Sequence, residues 1–81
     1  MLIDNENLYE ALEGNIRRFY NSDEYVYVNA IYGPGDDEEL HKGMYHAAVD
    51  IHEPGETYHV WFIANDDNSI MVDTIERWLM G

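Results

Sequence analysis

Residues 45–64, YHAAVDIHEPGETYHVWFIA, decide the fold. Tyr45 to His52 and Thr57 to Ala64 read as strands, and Glu53-Pro54-Gly55-Glu56 between them holds Pro and Gly in the order a tight turn uses. The segment is therefore a β-hairpin. Closing it with His52 opposite Thr57 pairs Ile51 with Tyr58, Val49 with Val60 and Ala47 with Phe62 on one face. The reverse face then sets Asp50 opposite His59, Ala48 opposite Trp61 and His46 opposite Ile63.

Upstream of the hairpin, Tyr25 to Tyr32 is a further strand, with Val26, Val28 and Ala30 on one face and Tyr25, Tyr27 and Asn29 on the other. Gly33-Pro34-Gly35 stops it. Asp36-Asp37-Glu38-Glu39-Leu40 follows as a charged loop or one short helical turn. Leu8, Ala11, Leu12, Ile16 and Phe19 recur at spacings of three and four, which predicts an amphipathic helix from about Glu6 to Tyr20 with Asn5 as N-cap. Arg17 and Arg18 near its C-terminus complement the helix dipole. Gly14 inside it costs about 1 kcal/mol relative to Ala, and we read it as a weak point rather than a close approach.

Downstream, Asn65-Asp66-Asp67-Asn68 is a cluster of turn and cap types, after which Met71, Val72, Ile75, Trp78 and Leu79 define a second amphipathic helix ending at Gly81. The expected fold is α+β in the order α-β-β-β-α: a three-stranded antiparallel meander with two helices packed on one face. At 81 residues the chain is one domain, 1–81.

Composition sets the functional bounds. Hydrophobic residues at 46% and aromatics at 14% suffice for a packed core, yet seventeen Asp and Glu against four Lys and Arg give a net charge of −13. No core requires that imbalance, because like charges at this density oppose compaction. Such a surface is repelled by anionic lipid and by phosphate backbones, so no direct contact with nucleic acid or membrane is expected. Zero Cys fits a reducing cytosol and excludes disulfides and thiolate metal sites. Met1 to Glu6 has no basic or apolar leader pattern, and the longest apolar run, Val60 to Ala64, is too short to span a bilayer. The expected location is the cytoplasm, that of the host cell if the chain is phage-encoded.

In a meander the acids cluster at two ends. Asp36, Asp37, Glu38, Glu39, Asp66 and Asp67 gather at one, the expected partner-binding end. Asp23, Glu24, Glu53 and Glu56 gather at the other as a secondary acidic patch, about 25 Å away for eight-residue strands. The simpler reading is that Asp66 or Asp67 caps the second helix and the remaining acids confer solubility. His46, His52 and His59 share one face in the register above, but His46 and His52 lie about 20 Å apart along one strand, too far for one metal ion. A hydrogen bond between Asp50 and His59 is favoured instead, and no metal or other cofactor is expected.

Catalytic types are sparse. Ser22, Ser69, Thr57 and Thr74 are the hydroxyls outside Tyr, no phosphate-binding Gly-rich loop is present, and the paired acids lack an apolar pocket that would raise a pKa. An enzyme is not expected. Tyr25, Tyr27 and Trp61, with His46 and His59 beside them, form a candidate aromatic interface, either a partner contact or a homodimer; the alternative is cover by a helix.

The Leu8 to Tyr20 helix, the acidic Asp36-Asp37-Glu38-Glu39 connection and the passage Tyr58 to Leu79 through Asn65-Asp66-Asp67-Asn68-Ser69-Ile70 are similar to those of small acidic phage anti-CRISPR proteins that mimic DNA. The resemblance implies an inhibitor that occupies the basic nucleic-acid-binding cleft of a nuclease or effector complex and excludes DNA by competition. The resemblance implies a second C-terminal helix, and none is expected within residues 1–81. Two other readings compete: an immunity protein or antitoxin that neutralises a basic nuclease toxin, and a salt-adapted small domain with no charged target.

Overall fold

The computed structural model describes residues 2–3, 5–21, 23–34, 43–67 and 69–78. Five antiparallel strands form one sheet in chain order: β1 (Leu2–Ile3), β2 (Val26–Tyr32), β3 (Tyr45–Ile51), β4 (Thr57–Ala64) and β5 (Ile70–Arg77). A single helix among the described residues, α1 (Glu6–Tyr20), runs between β1 and β2. The fold is thus one helix on four full strands and a two-residue edge, and the expected α-β-β-β-α arrangement with two helices on one face is wrong.

The error lies in residues 70–77. They form a strand, and a bulge explains why their pattern resembles a helix. Phe62 pairs with Val72 and Trp61 with Thr74, leaving Asp73 as the extra residue. Val72 and Ile75 therefore share the inner face although they are three positions apart, the spacing a helix stripe would have. Leu79, the last apolar residue of the expected helix stripe, lies outside the described residues, as do Met80 and Gly81.

A second irregularity lies in β2. Val28 pairs with Val49 and Ala30 with Ala48, so Ile31, opposite Ala47, takes the buried place expected for Ala30. The hairpin itself forms, two residues out of the expected register: Asp50 pairs with Thr57, Val49 with Tyr58, Ala47 with Val60 and Tyr45 with Phe62. Its faces survive because a slip of two keeps every side chain on its side. The turn takes up His52 in a left-handed conformation (φ 80°), Gly55 is at φ 89°, and the Ile51 N–H donates to the Glu56 carbonyl at 3.0 Å.

The helix covers one face of this sheet. Leu8, Leu12 and Ile16 pack on Val26, Val28, Ile31, Ala47, Val49, Ile51, Val60 and Phe62. Phe19, expected in the stripe, is 72% exposed. Asn5 caps the helix as expected, its side chain accepting from the N–H groups of Asn7 (3.1 Å) and Leu8 (3.4 Å). The Tyr9 hydroxyl ties the helix to two strands, donating to the Ile3 carbonyl (3.0 Å) and accepting from the Ile31 N–H (3.2 Å). Asn15 reaches the β5 end of the sheet and donates to the Ile70 carbonyl at 3.1 Å. A Cβ at Gly14 would meet nothing within 4 Å, so this glycine weakens the helix and admits no close neighbour. No helix among the described residues is long and apolar enough to cross a membrane.

Candidate functional site

With the helix on one face, the other carries Tyr27, Tyr32, His46, Ala48, Asp50, Thr57, His59, Trp61, Thr74 and Glu76, whose alternation follows from the register. Rings line up across it. Tyr32 and His46 have centroids 5.0 Å apart, His46 stacks on Trp61 at 4.9 Å, Trp61 on His59 at 4.7 Å, and His59 meets Trp78 at 5.0 Å. His46 Nδ1 and His59 Nε2 lie 2.8 Å apart in a hydrogen bond, so one ring donates and the other accepts. The expected Asp50–His59 pair is absent because the register slip puts His59 opposite Ala48.

Trp61 is 6% exposed, so of the candidate aromatic interface Tyr25 and Tyr27 remain available and Trp61 does not. Trp78, read from the sequence as a core helix residue, is instead 44% exposed at the end of the ring series. No group of three or more His, Cys, Asp or Glu among the described residues is arranged to hold a metal ion.

Asp50 organises the β3–β4 end of this face. Its carboxylate accepts from the Gly55 N–H (3.0 Å), Thr57 Oγ1 (2.7 Å) and Asn29 Nδ2 (2.9 Å). The bonds from Gly55 and Thr57, with Asn29 adding a smaller share, hold its pKa below the usual carboxylate value. Sequence reading assigned Asp50 to the wrong partner; the signal that could have found this network is the Asp-x-x-x-x-Gly-x-Thr spacing across the turn.

Of the expected partner-binding acids, Asp36, Asp37, Glu38 and Glu39 lie outside the described residues. Asp66 and Asp67 are exposed in the β4–β5 turn. Asp67 accepts from the Ser69 N–H at 3.0 Å, and its bonds with Ser69 lower its pKa. It thus caps a strand turn, where a helix N-terminus was expected.

Of the four acids of the expected secondary patch, Glu24 and Glu56 are paired. Glu24 Oε1 lies 3.0 Å from His52 Nδ1, while Glu56 accepts from the Tyr58 hydroxyl (2.8 Å) and faces Arg77 Nη2 at 3.7 Å. The Glu56 bond raises the Tyr58 pKa, and burial with Glu24 nearby raises that of Tyr20. Asp23 and Glu53 are exposed.

Positive charge is largely engaged elsewhere. Arg17 bonds Glu13 (3.1 Å) and the carbonyls of Glu24 (3.2 Å) and Val26 (3.4 Å), and Arg18 Nε donates to the Gly14 carbonyl at 3.4 Å. Among the described residues no carboxylate is buried, so their charge faces water. Comparison of the chain with protein-family models, curated proteins and solved structures gives no match.

Proposed function

We propose that the protein is an acidic inhibitor that occupies the basic nucleic-acid-binding cleft of a nuclease or effector complex, in the manner of the DNA-mimicking anti-CRISPR proteins it resembles. The observation that carries this reading is the placement of charge: a net −13 with no described carboxylate in the core and the described arginines tied to carboxylates or carbonyls. Over the molecule's longest extent, 35 Å, duplex DNA would carry about 20 phosphate charges, so the chain reaches about two thirds of that density. The reading takes no support from the passage Tyr58 to Leu79, which runs strand to strand as far as Arg77.

Exposed Phe19, Tyr27 and Met71 favour a second reading, an immunity protein that adds apolar anchors to charge steering. Capture from host lysate at low salt, followed by challenge with duplex DNA, separates the two. Release of a nucleic-acid-binding protein by duplex supports the mimic. Retention of one toxin-like partner regardless of DNA supports the immunity protein, and capture of no basic protein refutes both.

A further inference from the structure

Two imidazoles meet on the sheet face opposite the helix. His46 in β3 and His59 in β4 sit diagonally across the strand pair, because His46 stands opposite Trp61 and His59 opposite Ala48. His46 Nδ1 and His59 Nε2 are 2.8 Å apart. Packing holds both rings. The buried Trp61 indole stacks on each of them, at 16° to His46 and 28° to His59, while Tyr32 lies against His46 and Trp78 against His59 with centroids 5.0 Å away in each case. Both histidines are half-buried.

We infer that this pair is a bidentate site for a tetragonal divalent transition metal, copper(II) ahead of zinc(II), bound by His46 Nδ1 and His59 Nε2. Imidazole nitrogen suits both metals, and geometry separates them. Metal–nitrogen bonds of about 2.0 Å set at right angles put their nitrogens about 2.8 Å apart, whereas the tetrahedral angle of zinc needs about 3.3 Å. The observed separation matches the right angle. In the hydrogen-bonded pair one ring donates its N–H to the other. On binding, that proton moves to the far nitrogen of its own ring, a change of tautomer that releases no proton, and a tilt of both side chains turns the two lone pairs onto the ion. Among the described residues no third His, Cys, Asp or Glu completes the set, so water or an added chelator supplies the remaining positions. The net charge of −13 attracts any cation, so a neutral metal complex is the discriminating probe.

The test is a titration of the full chain with copper(II) iminodiacetate, which is neutral and leaves adjacent coordination positions open. Excess magnesium occupies the carboxylates, and a pH of about 7.5 keeps imidazole unprotonated. Electron paramagnetic resonance should show two coordinated imidazole nitrogens in the native chain. Tryptophan emission should fall saturably, since Trp61 stacks on both rings and Trp78 lies against one. His46→Gln and His59→Gln should each weaken binding about a hundredfold, because a chelate becomes a single ligand. His52→Gln, whose ring pairs with Glu24 beyond the end of β3, should leave it unchanged. Zinc(II) should bind more weakly than copper(II). One imidazole nitrogen or none in the native spectrum, indifference to His46→Gln and His59→Gln, an equal loss in His52→Gln, or zinc binding as tight as copper would overturn the assignment. The nitrogen count needs no variant, so a substitution that fails to fold leaves the test intact. The site does not depend on the inhibitor reading, and either can fail alone.

Discussion

Replacing Asp50 by Ala removes three accepted hydrogen bonds at once, from the Gly55 N–H, the Thr57 hydroxyl and the Asn29 amide. Each such bond contributes about 1 kcal/mol net, and more where the acceptor is ionised. The Gly55 and Asn29 bonds are exposed, so water replaces part of what is lost there, and the sum comes to about 1–2 kcal/mol. For a domain of this length, with total stability of about 4–12 kcal/mol, that is a substantial fraction. In urea, with m about 1 kcal/mol/M, the midpoint should fall by about 1–2 M at neutral pH. The pH dependence has a definite sign. The folded-state pKa of Asp50 lies below its unfolded value, so its stabilisation is fully present above the ordinary Asp pKa of about 3.9 and is lost as pH falls through the lower folded value. Urea melts of wild type and variant from pH 7 down to pH 2 should show a constant gap above about pH 5 that closes in acid. A gap of zero at pH 7, or one that persists undiminished at pH 2, would refute the assigned role.

Further outcomes follow from the backbone and from the two indoles. Gly14→Ala should raise stability by about 0.5–1 kcal/mol in chemical denaturation, since the new methyl meets nothing; no gain would mean that the helix is not limited there. Deleting Asp73 removes the extra residue of the bulge and leaves Val72 and Ile75 facing inward, so the variant should fold with its far-UV spectrum unchanged. A helix over the same residues would be rotated by about 100° and would lose its packing. Trp78→Phe should leave a fluorescence weakly quenched by acrylamide, from buried Trp61, whereas Trp61→Phe should leave one quenched strongly; similar quenching in both would contradict the burial difference.

The parts of the fold that could be read in advance are those where local and tertiary signals agree. Asn5, the Leu8-Leu12-Ile16 stripe, the Pro54-Gly55 turn and the inward Val49, Val60 and Phe62 all sit where periodicity and turn chemistry place them. The misreadings have two physical sources. Bulges at Asn29 and Asp73 insert one residue into a period of two, which hid Ile31 in one strand and made Val72 and Ile75 look helical in another. Ile70, Val72, Thr74 and Ile75 are β-branched, a composition that favoured the strand all along. The turn accounts for the rest: His52 in a left-handed conformation moved the first closing pair, and that slip separated Asp50 from His59 and brought His46 to it. The surplus of acids was legible as charge alone, while the exposed indole of Trp78 was missed because the helical reading had buried it.

The claim that surplus negative charge exists to meet a basic groove is tested most directly by the affinity of the captured partner as a function of salt. It should be measured for the native chain and for one with Asp66 and Asp67, together with Asp36, Asp37, Glu38 and Glu39, changed to Asn and Gln. Charge-driven binding gives an affinity that falls steadily as salt rises, with a shallower slope and weaker binding for the neutralised chain at low salt. Two superimposable curves, flat in salt, would contradict it.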